Sequence, residues 1–439
     1  MNERTLAALR AGLLVSIGVL LAMVASQLRE RWFRGDLERV QDAIDRVAEF
    51  VDDEYAYPLE PEEIAENAIA GMLDNLDQHS RFFPERETEE VENQTSGTYH
   101  GIGAVFAPWA DEEQFLFALP GSPAERAGMQ PGDRLVRIDG TPVEETDTAF
   151  RHDLMSNDRG RPVQLDLVGR DGSERTIEVV PEQVGNPSVR HVQVLDEEHG
   201  IGYFAVTSFS KRTPGEFDAA VAALRAVGAD RLLVDLRRNP GGVLRSAIEL
   251  ANRFVGDGAL VISQSRTERR EWRAEPGDDW YAGTALVLLV DGESASASEV
   301  LAGALQDHRA AVLVGTQTFG KGCVQTLRRL DSLGIGGMVK LTTSVYRTPA
   351  GRLIDRRYQE QGAGLAPDLV VTIDDAAHRE LAAFLRAYSP NFEQRAPLVA
   401  WQRESPELPI LPDLPRDAQV EAGLALLRGD HPGPYAHQP

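Results

Sequence analysis

The chain has 439 residues, 42% of them hydrophobic and 26% charged, with a formal net charge of −24. That length accommodates two or three domains with real cores, and the acidic balance argues against nucleic-acid partners and for solubility. A single cysteine excludes an internal disulfide, and the nine histidines are scattered without ligand spacing, so no metal site is indicated.

At the N-terminus a short, weakly basic stretch, Met1 to Arg10, precedes an uninterrupted apolar and small-residue run from Ala11 through Ser26. The run is longer than most signal-peptide cores and shorter than a comfortable membrane span. Val24-Ala25-Ser26 offers a cleavage site, so a cleaved export signal and a retained anchor over residues 1–34 both stand. Arg29, Arg31 and Arg34 blur the charge asymmetry that would set orientation. Residues 35–95 follow as a helical region. Leu37, Val40, Ile44, Val47 and Phe50 recur at spacings of three and four, the pattern of a helix that packs into a core or against a second copy. Asn75-Leu76-Asp77-Gln78-His79-Ser80-Arg81-Phe82-Phe83 reads as a loop.

Gly101-Ile102-Gly103-Ala104-Val105-Phe106 is a glycine loop entering a strand, and Gly121 to Met129 holds a short helix begun after Ser122-Pro123. Gly132 to Gly140 reads as a strand closed by an Asp-Gly turn. In this order the three segments resemble a PDZ domain, placed at residues 96–184. PDZ domains add an extended chain end as a strand and hold its carboxylate in a nest of backbone N–H groups. The resemblance makes Gly101, Ile102 and Gly103 the candidates for that nest.

Over residues 185–378 strands at Ile201 to Val206, Leu232 to Leu236, Leu286 to Val290 and Val312 to Gly315 alternate with helical stretches, which predicts an α/β core. Arg231 to Gly242 reads as a buried strand running into a tight glycine turn, Asn239-Pro240-Gly241-Gly242. Such a turn can aim backbone N–H groups at a reacting carbonyl, and it is equally an ordinary way to join a strand to a helix.

Ser294-Ala295-Ser296-Ala297-Ser298-Glu299 lies just before the apolar, helix-like stretch Val300 to Leu305. A serine there meets free N–H groups and a partial positive charge. His308, at the far end of this helix, reads as structural. Downstream lies Gly320-Lys321-Gly322-Cys323-Val324-Gln325. A hydroxyl is a weak nucleophile, and a lysine held neutral by its surroundings can take its proton where an arginine cannot. Val324 to Leu327 looks like strand, and the even spacing from Lys321 to Gln325 places both side chains on one face, where the amide can orient the amine. Taken alone, the two motifs fit a small-residue helix start and a surface lysine in a glycine turn equally well. No Gly-x-Ser-x-Gly and no phosphate-binding loop occur, which argues against an α/β-hydrolase and against nucleotide chemistry. Residues 379–439 are proline-rich, with Pro406, Pro409, Pro412 and Pro415, and read as an extended or partly mobile tail ending in a short helix from Gln419 to Leu427.

The glycine turn, the serine run and the lysine segment, with Tyr346-Arg347-Thr348-Pro349-Ala350-Gly351-Arg352 and Ala366-Pro367-Asp368, resemble the C-terminal processing peptidases, the tail-specific serine–lysine proteases. The resemblance implies a multidomain α/β fold: a crotonase/Clp-like protease core with an inserted β-rich PDZ domain and N-terminal helices. It makes Ser296 the nucleophile, Lys321 the general base and Gln325 the group that positions the lysine. It also makes the backbone amides of Gly242 and Ala297 the oxyanion hole, and it implies no cofactor. Cys323 departs from the family, where a small or hydroxylated residue is commoner, and packing is its expected role. Further implications are export to the periplasm or to the outer face of the cytoplasmic membrane, membrane association through residues 11–26, and protein substrates engaged by their C-termini. An adaptor lipoprotein and a homo-oligomer are the other partners expected; nucleic acid is not. Two alternatives keep the fold: a catalytically silent PDZ scaffold, and a protease inactive until an adaptor or the substrate tail aligns Lys321 with Ser296.

Overall fold

The computed structural model describes residues 36–109, 112–146, 160–358, 362–387, 389–404 and 411–430; the apolar run at 11–26 lies outside them. The chain forms two compact units, one of residues up to 85 with Leu327–Leu341, the other of Arg86–Thr326 with the residues from Thr342 on.

In the first unit α1 covers residues 36–54 and α2 covers Pro61–Asp74. Proline in the first turn and a reciprocal cap between Glu60 and Glu63 start α2. The expected α1 forms, with Ile44 half-buried and Leu37, Val40, Val47 and Phe50 exposed, so among the described residues of the first unit this face enters no core. The segment expected as a loop holds strand β1, Arg81–Phe83, which pairs antiparallel with Met338–Lys340. That partner lies far along the chain, where a local pattern gives no sign of it. Leu73, Phe82 and Leu330 close a small apolar cluster here.

The second unit begins within α3 (Glu85–Ser96) and continues with a β-rich module of β2 (Thr98–Gly101), β3 (Ala104–Trp109), β4 (Glu112–Ala118), β5 (Arg134–Ile138), β6 (Thr141–Pro142), β7 (Val163–Val168), β8 (Glu174–Val179) and β9 (Glu182–Gly185). The sheet order is β3-β4-β5-β7-β8, with β6 on β5, and β2 pairs with β9. Phe115, Ile138, Leu165 and Leu167 fill its core. Ser122 caps the short helix α4 (Pro123–Arg126) by accepting from the Glu125 N–H, as the sequence predicts. Among the described residues β3 is an edge strand of this sheet.

The larger body follows as β10 (Val189–Asp196), β11 (Ile201–Val206), α5 (Thr213–Ala226), β12 (Arg231–Asp235), α6 (Leu244–Asn252), β13 (Ala259–Ser265), β14 (Arg269–Arg273), β15 (Leu286–Val290), α7 (Ala297–Asp307), β16 (Val312–Gly315), β17 (Cys323–Arg329), β18 (Met338–Arg347), β19 (Leu369–Val370), α8 (Asp375–Arg386), α9 (Phe392–Glu404) and α10 (Ala418–Arg428). Its central sheet runs β10-β11-β12-β15-β16-β19, parallel from β11 onward. Every residue of β11 and β15 is buried, as strands covered on both faces require. Phe217, Leu250 and Leu301 from α5, α6 and α7 pack on one face, and Leu381, Phe384, Val420 and Leu424 from α8 and α10 pack on the other.

The tail therefore differs from its expectation. Helix α10 lies where predicted, but α9 is a helix in spite of Pro397 inside it. A proline there costs one backbone hydrogen bond and some strain, and burial of Leu398 and Trp401 against Leu116, Phe117 and Leu119 of the β-rich module offsets the loss. Local composition shows the proline and not the surface it meets.

Candidate active site

All three segments singled out in the sequence follow the C-terminal ends of neighbouring parallel strands: the glycine turn after β12, the serine run after β15 and the lysine segment after β16. In open α/β sheets this end is where ligands are met.

The turn and the serine run are stitched together through backbone groups. Asn239, fully buried, donates from Nδ2 to the Val206 carbonyl at 2.7 Å and accepts the Gly241 N–H at 2.9 Å. Its own carbonyl accepts the Ala295 N–H and the Ser298 hydroxyl, both at 2.9 Å. The Ser294 hydroxyl donates to the Leu236 carbonyl at 2.8 Å, and Asp291 Oδ1 accepts the N–H groups of Arg238 and Ser294 at 2.9 and 3.0 Å. Glycine is required twice. A Cβ on Gly241 would stand 2.6 Å from the Ala295 carbonyl oxygen and 2.8 Å from Ser296 Cβ, and one on Gly242 would stand 2.0 Å from the Phe209 carbonyl oxygen. Phe209 bridges to Gly242 in parallel fashion, with the bonds made by the N–H groups of Phe209 and Val243. The Gly242 N–H therefore points away from Phe209.

Ser296 is half-buried and caps α7, where Ala297 is the first helical residue with its N–H at the positive end of the helix. Its backbone has φ 58° and ψ −114°, a conformation that costs a non-glycine residue about 1–3 kcal/mol and persists only where neighbours impose it. One neighbour that holds the Ser296 backbone is Glu299. This carboxylate, fully buried, accepts the Ser296 N–H at 2.8 Å and the Lys321 N–H at 2.9 Å on Oε2, and the Thr318 hydroxyl at 2.6 Å and the Gly320 N–H at 2.7 Å on Oε1. Burial pushes its pKa above the ordinary carboxylate value, and the four hydrogen bonds oppose the rise. On the other side the Tyr346 hydroxyl, brought in by β18, lies 2.6 Å from the Lys321 carbonyl and 2.9 Å from the Ser296 carbonyl and shares its one proton between them. Burial lifts the Tyr346 pKa well above that of a free phenol, so it stays a donor.

The lysine side is built differently. Lys321 is half-buried and precedes β17, whose Cys323 and Gln325 share a face. Gln325 Nε2 donates to Cys323 Sγ at 3.0 Å and approaches the Cys323 carbonyl and Thr342 Oγ1, each at 3.4 Å. Cys323 is 2% exposed, and burial pushes its thiol pKa up, so it is a packed thiol and not a thiolate. His308 caps the end of α7 and contacts the Ala259 carbonyl at 2.7 Å, the structural place expected of it.

In the β-rich module Gly101 and Ile102 are buried, and the Ile102 and Gly103 carbonyls accept the N–H groups of Ala124 and Leu119 at 2.9 and 2.8 Å. This loop opens directly into the edge strand β3.

The arrangement places a strained serine, a lysine, the Gly242 amide of the glycine turn and the Ala297 amide of the helix start around one end of the sheet. Sequence reasoning missed Glu299 and Tyr346. The Ser-x-x-Glu spacing from Ser296 to Glu299 is a capping-box signature and carried the signal for the first; nothing in the local sequence pairs Tyr346 with both carbonyls.

Comparison with known proteins gives a match of residues 200–371 to peptidase family S41 and of residues 118–168 to the PDZ domain. A carboxy-terminal-processing protease of Bartonella bacilliformis is 32% identical over 342 residues, covering 76% of this chain and 75% of that protein. A carboxyl-terminal-processing protease of Picosynechococcus sp. is 33% identical over 321 residues, covering 72% and 74%. Among solved structures, the photosystem II D1 C-terminal processing protease is 29% identical, covers 72% of this chain and 84% of its own, and has a TM-score of 0.42.

Proposed function

This chain belongs to peptidase family S41, among the carboxy-terminal-processing proteases, and we propose that it is a serine endopeptidase in which Ser296 is the nucleophile and Lys321 the general base. The observation that carries the reading is the double clasp on these two residues: Glu299 takes both N–H groups and Tyr346 meets both carbonyls. Two backbones held in common at both faces fix how far apart the two side chains start.

Lys321 takes the Ser296 hydroxyl proton as Oγ attacks the scissile carbonyl carbon. The N–H groups of Gly242 and Ala297 hold the oxyanion that forms. Its collapse expels the amine, which leaves with the proton from Lys321, and an acyl-serine remains. Water, deprotonated by the same lysine, releases the acid and restores the hydroxyl. Gln325 orients the amine. The substrate's C-terminal end adds to the open edge of β3, its carboxylate received by the loop of Gly101, Ile102 and Gly103. Export, with the apolar run at 11–26 as signal or anchor, and self-association through the exposed face of α1 belong to the same proposal.

The test is cleavage of an unfolded reporter with an apolar C-terminal tail. Wild type cuts; Ser296→Ala and Lys321→Arg each lose on the order of 10⁴-fold or more. Full cleavage by either variant overturns the assignment. The contact of Gln325 with Cys323 favours one refinement, in which tail binding realigns Gln325 toward Lys321. Added tail peptide then raises the rate on a tail-less reporter, and equal rates with and without it remove that refinement.

A further inference from the structure

We infer that Asp417 and Gln419, at the start of α10, are positioning residues for the glycine turn, acting through Arg237. The inference rests on the proposed role of that turn.

Arg237 lies two residues beyond the end of β12 and is wholly buried. One side of its guanidinium is spent on Asp235: Nε lies 2.9 Å from Oδ1 and Nη2 lies 2.7 Å from Oδ2, while the Arg237 N–H donates to the same Oδ1 at 2.9 Å. Tyr203 completes the Asp235 shell at 3.0 Å. The remaining arm, Nη1, reaches Asp417 Oδ2 at 2.7 Å and Gln419 Oε1 at 3.0 Å. Burial alone would weaken the charge on Arg237, but the two aspartates outweigh it and hold the guanidinium firmly protonated.

Asp417 does two jobs with its two oxygens. Oδ1 caps α10 by accepting the N–H groups of Gln419 and Val420 at 2.9 and 3.0 Å, and Oδ2 holds Arg237. Gln419 Nε2 is fixed in turn on the Val371 carbonyl at 2.8 Å. The arginine is thus bolted at both ends. Its neighbour Arg238 has φ 59° and donates to Asp291, and Asn239 then sets Gly241. An Arg237 released from α10 leaves an unsatisfied buried arm, and the backbone that leads to the Gly242 N–H moves with it. Helix α10 lies beyond the segment that matches the peptidase family, residues 200–371.

The experiment uses the full chain with Asp417→Asn, Gln419→Met and the double change Asp417→Asn with Gln419→Glu. Asparagine keeps a cap acceptor and removes the charge from Arg237; glutamate at 419 restores a carboxylate within reach of Nη1. Expected is a kcat lowered about 10- to 100-fold by Asp417→Asn with KM within about twofold, a smaller loss in Gln419→Met, and recovery of most of the loss in the double variant. An unchanged kcat in the folded single variants, or a loss the double variant fails to recover, overturns the inference. Should Asp417→Asn not fold, Gln419→Met, which leaves the cap intact, decides through its kcat. Wild-type inactivity, or activity that survives Ser296→Ala, strikes the parent reading instead, so the two failures are distinguishable.

Discussion

The two halves of the candidate site are held by opposite means. Around Ser296 the turn, the helix start and the lysine backbone share one buried carboxylate, one tyrosine hydroxyl and one asparagine, so that few main-chain groups are left to settle. On the lysine side only the backbone is held in this way, while the Lys321 side chain is half-exposed and Gln325 rests on a sulfur and a distant hydroxyl. The lesson is a division between a fixed main chain, held by buried partners around Ser296, Gly241 and Lys321, and the half-buried side chains of Lys321 and Gln325, which carry fewer such constraints.

Replacing Glu299 by Gln breaks the comparison hardest, because one amide group then faces donors that all need an acceptor. Activity falls on the order of 100-fold and stability by about 2–4 kcal/mol, read from kcat and from chemical denaturation. Tyr346→Phe removes one hydroxyl from the clasp and keeps the ring; kcat falls about 10-fold with stability reduced by about 1 kcal/mol. Gln325→Leu touches only the adjustable half, so kcat drops several-fold, roughly 3- to 10-fold, while the denaturation midpoint holds. A larger stability loss there than in Tyr346→Phe would erase the distinction between the halves.

His191 supplies a control outside both. Its ring is buried and stacked on Phe384 at 3.9 Å, and burial, with Arg190 and Arg395 nearby, lowers its pKa from 6.5 to about 3. The folded pKa is depressed, so the neutral ring's contribution is complete above pH 6.5 and is lost as pH falls from 6.5 toward 3. His191→Leu flattens the acid branch of the stability curve, by about 2 kcal/mol at pH 5, and leaves kcat at neutral pH unchanged.

Strands β11, β12, β15 and β16 and the positions of the three motifs were legible because buried parallel strands are continuous apolar runs and glycine turns punctuate them. The PDZ likeness was legible for the same reason: its loop, its Ser122 cap and its Asp139-Gly140 turn are local. What the sequence hid depends on distant partners. Strand β1 exists because Met338–Lys340 lies beside it, α9 survives Pro397 because Trp401 finds a surface, and Asp417 meets Arg237 across most of the larger body's sequence. The exposed apolar face of α1 shows the converse, since a perfect spacing of Leu37, Val40 and Val47 does not say what covers it.

The contact between Arg237 and Asp417 also sets an order in time. A chain made from its N-terminus has the glycine turn, Ser296 and Lys321 in hand well before Asp417 and Gln419 are synthesised. Until α10 arrives, the buried arginine lacks two of its three side-chain partners. On the inference above, the glycine turn gains its full support only once α10 has closed on the sheet.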